Sequence, residues 1–218
     1  MMNSVITILR NQVIELKFNP NSSFFRFMGT LASFAVLNWV FLLTCLPIVT
    51  IGAALTAMQA TQQRYLRIES TKLTRTYWHH FTKNFKQATG TWLILLALAA
   101  VFGFNIAFWR GNPNFWATPV LVVMIVAAVV LGLIAELVLP LLGLFQNTVR
   151  QTFKNAALMI IPNFFRVLLL VAIDGAAFII FYLTNIGRAM SLIFGFAFWQ
   201  YIKAFAYRRI LAKYTDEI

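Results

Sequence analysis

No charged residue interrupts the chain between Phe27 and Cys45, and none between Thr91 and Trp109. Each run matches the roughly 20 residues that an α-helix needs to cross the hydrocarbon core of a bilayer. Within lipid the backbone must satisfy its own hydrogen bonds, and a continuous apolar run of this length does so as a helix, being longer than the strand of a barrel. Only 11% of the 218 residues are charged, whereas a water-soluble domain carries about 25%. The chain therefore reads as an all-α, polytopic transmembrane helix bundle forming a single integral-membrane domain.

Spans are expected at about 24–46, 48–66, 91–109, 116–145, 167–184 and 189–207, with basic cytoplasmic loops at 67–90 and 146–166. Residues 1–20 read as an amphipathic interfacial helix, because Met2, Ile6, Leu9, Val13 and Leu16 repeat at helical spacing. The segment 48–66 is the least apolar of the six. Two rows of small residues run along it: Gly52, Thr56 and Ala60 in one, Ala53, Ala57 and Thr61 in the other. Small side chains four apart let helices approach closely in lipid, where packing replaces the hydrophobic drive. Pro47, Gly52, Ala53, Thr56, Ala57 and Ala60 are accordingly structural, with Gln59, Gln62, Gln63 and Arg64 marking an exit into water.

The net charge of +12 does not point to nucleic acid, because the cations fall between apolar runs and not in one patch. Sixteen of the 18 lie in the N-terminal segment, residues 64–90, residues 146–166 and the tail from Lys203. These segments share the cytoplasmic side only if 48–66 crosses the membrane. That gives six crossings as three helical hairpins with both termini cytoplasmic; a re-entrant 48–66 would give five. Lys83, Lys86, Arg208 and Arg209 are expected at anionic lipid head groups, and Lys203 is expected to snorkel toward the tail.

The segments Asn19–Phe27, Cys45–Ala54 and Phe81–Ala88 resemble those of the YesL-like bacterial membrane proteins, which carry the domain of unknown function 624. Leu46-Pro47-Ile48-Val49-Thr50-Ile51-Gly52 is the most specific part. The resemblance implies a bacterial inner-membrane protein, of a kind often encoded beside carbohydrate ABC transporters and sugar-degrading enzymes. It carries over no catalytic residue.

Two carboxylates, Glu136 and Asp174, sit inside spans. Ionisable groups are costly there, so each is a candidate for an ion or proton site, or for a hydrogen-bonded packing group with Asn38, Asn105 or Thr184 as partner. There is no Walker loop, no dinucleotide glycine fingerprint, no H-E-x-x-H and no G-x-S-x-G. The adjacent His79 and His80 diverge on a helix and chelate one metal poorly. Cys45, the one cysteine, reads as a packing residue. The expectation is a non-enzymatic accessory protein without cofactor or metal, assisting carbohydrate uptake or sensing beside an ABC-type sugar permease. The alternative is a small solute transporter coupled to protons or cations through Glu136 and Asp174. A homo-oligomer is left open.

Overall fold

The computed structural model describes residues 23–68, 72–112 and 114–214, so the expected interfacial helix at 1–20 lies outside the described residues. Among the described residues every regular element is helical. The first helix, α1 (Ser23–Cys45), stops where Pro47 offers no amide to continue it. A 3-10 turn, Ile48–Thr50, leads into α2 (Ile51–Ile68). Thr50 ties this corner together, its hydroxyl donating to Thr44 O at 2.6 Å and Pro47 O at 2.8 Å. Pro47 itself is exposed at this turn.

The next helix, α3 (Leu73–Arg110), is one unbroken rod of 38 residues. Residues 73–90, expected as a loop, form its first half. Their cations and aromatics hid the helical pattern, but Leu73, Tyr77, Phe81 and Ala88 repeat at helical spacing and are buried. α4 (Ala117–Leu144) keeps Pro140 within its length. The segment expected as the second basic loop is α5 (Val149–Ile160) followed by a 3-10 turn at Ile161–Asn163. Thr148 caps α5 by accepting from Gln151 N, and Thr152, Ala156 and Met159 form its buried edge.

α6 (Phe164–Leu183) precedes the last long unit, in which α7 (Asn185–Met190), a π turn at Ser191–Gly195 and α8 (Phe196–Leu211) run on without a break. A π turn displaces the usual hydrogen-bond ladder by one residue and strands backbone groups. Asn38 of α1 takes them up: its Nδ2 donates to Ser191 O at 3.0 Å and Leu192 O at 2.9 Å, and its Oδ1 accepts from Ala197 N at 3.0 Å.

Five segments are long and apolar enough to cross a membrane: Phe27–Cys45, Leu73–Arg110, Ala117–Leu144, Val149–Leu183 and Asn185–Leu211. Their outer faces bear side chains such as Phe104, Val123 and Phe165, which are well exposed. Apolar exposure on that scale suits a lipid environment. α2 is not among the five, yet it is the centre of the bundle, with 11 of its 18 residues buried. It packs against α1, α3, α4 and α8.

The small residues of α2 set these approaches. A Cβ on Gly52 would lie 2.9 Å from Ala88 O and strike the Trp92 side chain, so this glycine lets α3 come close. Thr56 and Ala60 receive Gly143 of α4, where an added Cβ would lie 2.8 Å from Thr56 O. Ala53 and Ala57 join Phe34, Leu37, Phe41 and Tyr77 in one apolar core. A second core gathers Leu137, Val138 and Leu141 with Val167, Leu170 and Ile210. α8 contributes to both and so joins the two halves.

Gln59, Gln62 and Gln63 do not lead into water. All three are buried against α8: Gln59 bonds Gln200, Gln62 Nε2 donates to Ala197 O at 3.1 Å, and Gln63 Nε2 donates to Ala204 O at 2.9 Å. With Met58 as the one large apolar side chain among its buried residues, α2 is held partly by this polar seam, which stays strong where water is excluded.

Candidate functional site

Glu136 of α4 and Asp174 of α6 converge on one lysine, Lys203 of α8. The ammonium lies 2.7 Å from Glu136 Oε1, 2.8 Å from Asp174 Oδ1 and 3.0 Å from Asp174 Oδ2. No other acidic residue falls among the described residues, so every described carboxylate pairs with this one cation. Lys203 is 5% exposed. It does not snorkel to the tail, because its partners lie toward the bundle interior and burying a charge without a partner is costly.

Helical geometry explains how α8 builds its side of the site. Trp199, Lys203 and Tyr207 are spaced four apart and so share one face. Trp199 Nε1 donates to Asp174 Oδ1 at 3.1 Å, while the Lys203 ammonium sits 5.1 Å from the Trp199 ring centroid and 5.7 Å from that of Tyr207. Both ring faces attract a cation. Each carboxylate is therefore fixed by a second α8 residue besides the lysine.

On the α4 side, Pro140 has no amide hydrogen, so the carbonyl of Glu136, four residues earlier, loses its partner within the helix. The Tyr207 hydroxyl stands 2.8 Å from that carbonyl and 2.5 Å from Glu136 Oε1. Pro140 thus opens the acceptor that anchors Tyr207, and Tyr207 holds the Glu136 side chain toward Lys203. Nothing in the sequence pattern links Pro140, Glu136 and Tyr207 except the four-residue offset of the first two.

A cavity of about 750 Å³ adjoins the cluster. Glu136, Asp174 and Lys203 line it with Ser191, Gln200 and an aromatic wall that includes Trp199, Phe178 and Tyr182. The three charged groups differ in access: their side chains are 13%, 30% and 6% exposed in that order, so Asp174 faces the cavity most openly. Two carboxylates against one ammonium leave one negative charge in excess. The arrangement can hold a proton or a cation, and the aromatic wall can cover an apolar or sugar-like face.

The other expected positions lie elsewhere. Asn38 serves the π turn, Asn105 Nδ2 donates to Val101 O at 2.8 Å, and Thr184 caps α7 by accepting from Gly187 N at 2.9 Å. None of the three meets a carboxylate. Lys83 and Lys86 are exposed on the first half of α3. Arg208, half-buried, donates to Leu66 O at 3.4 Å and so braces α2 against α8, whereas Arg209 is exposed and its carbonyl accepts from Arg166 at 2.7 Å. Lys203, Tyr207 and Trp199 are the site residues that sequence reasoning missed. Their four-residue spacing is visible in the chain, but nothing there marks the face as turned toward Glu136 and Asp174.

No curated protein and no solved structure matches the chain. One family model does, over a region that includes α2 and the corner at Pro47 but excludes Glu136, Asp174 and Lys203. Residues 34–106, about a third of the chain, match the family described as Protein of unknown function, DUF624.

Proposed function

We propose that the chain is a multi-pass bacterial cell-membrane protein that carries a small solute, coupled to a proton or cation through Glu136 and Asp174, with Lys203 as their shared counter-ion. One observation carries the reading: two carboxylates from different helices share one ammonium beside a cavity of about 750 Å³. A purely structural pair would need one carboxylate. The second makes the cluster negatively charged in a low-dielectric place, and a proton or cation neutralises it. Alternation between the paired and neutralised states gives the bundle two arrangements that a bound ion can bias. The resemblance to YesL-like proteins adds sugars as the first solute class to try, and the aromatic wall suits the apolar face of a sugar ring.

The test is reconstitution of this protein alone in proteoliposomes carrying a pH-sensitive dye, under an imposed pH gradient. Addition of a mono- or disaccharide panel should produce solute-dependent proton movement that is lost in D174N and E136Q. Absence of flux with every solute, together with co-purification of permease subunits from native membranes, would overturn the transport reading.

That second outcome belongs to an accessory protein of an ABC-type sugar permease. One feature favours it: the lysine is saturated, with both carboxylates, Trp199 and Tyr207 engaged, as a fixed clamp between α4, α6 and α8 requires. In either reading the charge distribution supports six crossings with both termini cytoplasmic.

A further inference from the structure

The end of α2 meets the first half of α3 and the end of α4 around a second, smaller cavity of about 360 Å³. Its lining includes Gln63, Arg64, Arg67, His80 and Gly143. Arg64 and Arg67 are three apart on α2 and so project from one face. Neither guanidinium has a described carboxylate to pair with, because both described carboxylates are taken by Lys203. Glu69 lies outside the described residues.

His80 supplies the second observation. Both ring nitrogens are buried, and neither has a hydrogen-bond partner among the described residues. An imidazole presents at least one N–H in either protonation state. Leaving such a donor unsatisfied costs about 1–3 kcal/mol, so a site that orphans it is built around something that accepts. Gln63 Oε1 is also buried and unpartnered, its amide nitrogen being spent on Ala204 O. The lining therefore offers two guanidinium forks, one ring N–H and one acceptor.

From this donor set we infer that the cleft binds a phosphate-type oxyanion that keeps a hydroxyl group, held by Arg64, Arg67 and His80. Guanidinium forks match phosphate oxygens bidentately, and the hydroxyl answers Gln63 Oε1. The space equals about a dozen waters at ~30 Å³ each, enough for the anion with part of its hydration. Two sources share this chemistry: the head group of phosphatidylglycerol, whose phosphodiester sits beside the glycerol hydroxyls, and free hydrogen phosphate. The site is separate from the Glu136–Lys203–Asp174 cluster and does not depend on whether that cluster couples transport.

Full-length protein labelled with ¹⁵N-histidine, in phosphatidylcholine nanodiscs, tests it. The chain has only His79 and His80, so H79Q assigns the two ring signals. The His80 signal should move on addition of inorganic phosphate, on replacement of part of the lipid by phosphatidylglycerol, or on both. Movement with phosphate in phosphatidylcholine discs assigns the free anion; movement only with phosphatidylglycerol assigns the head group. In R64Q/R67Q the half-saturating concentration should rise by about tenfold or more, and R110Q, at a distant turn, should behave as the parent. R64K/R67K keeps both charges but loses the forks, and should fall between parent and R64Q/R67Q. An unmoved His80 signal under both conditions would overturn the inference, as would an equal response in the parent and both double variants.

Discussion

The side-chain carbonyl of Asn38 accepts a hydrogen bond from the backbone amide of Ala197 at 3.0 Å, joining two helices 159 positions apart in the chain. With Nδ2 bonded to Ser191 O and Leu192 O, one buried amide partners three backbone groups in and just after the π turn. Replacement by leucine leaves those backbone groups without partners in a dry interior. N38L should lose about 2–4 kcal/mol of stability, read as a lowered melting temperature in detergent. An N38L protein as stable as the parent would show that the π turn supports itself.

Charge balance in the central cluster gives an order of stabilities. K203M leaves the Glu136 carboxylate, 13% exposed, and the half-buried Asp174 carboxylate without their cation and should cost about 3–5 kcal/mol. The triple variant E136Q/D174N/K203M removes every charge together and should be more stable than K203M alone. Thermal melts of the variants in one detergent read the order directly. A triple variant that melts below K203M would contradict the view that unpaired charge, and not lost packing, causes the damage.

Close helix approach predicts a contrast between two glycines. G52A should cost about 1–3 kcal/mol, because its new methyl meets Ala88 O and Trp92. G132A, with nothing within 4 Å of the added atom, should stay within about 0.5 kcal/mol of the parent. Equal effects at the two positions would mean that the α2–α3 contact yields easily.

Sidedness of α2 is open to direct labelling. In a C45A background, I48C at the first turn should react with an impermeant maleimide on intact cells. T82C in α3 should react only after permeabilisation. Labelling of both from the same face would favour the five-crossing arrangement.

The apolar segments were legible because lipid excludes charge, and a run such as Thr91 to Trp109 leaves little else to read. Glu136 and Asp174 stood out for the same reason. Lys203 misled, since a lone cation near the end of a span has the local pattern of a snorkelling residue; its partners lie 67 and 29 positions away. Residues 73–90 hid their helix for a different reason. The buried stripe of Leu73, Tyr77, Phe81 and Ala88 is narrow, and aromatics and cations on the remaining faces blur its period. The Gln59–Gln62–Gln63 seam looks polar in one dimension and becomes interior only when α8 covers it.

The length of α3 carries a mechanical consequence. At 1.5 Å per residue its 38 residues reach about 57 Å, nearly twice the roughly 30 Å hydrocarbon core. Gly52 presses against this rod at Ala88 and Trp92, close to its middle. A rigid bar pinned near its midpoint acts as a lever: whatever pushes on its polar arm tilts its apolar arm the opposite way. Anything that docks on residues 73–90 thereby gains purchase on the packing of α3 against α4 inside the bilayer.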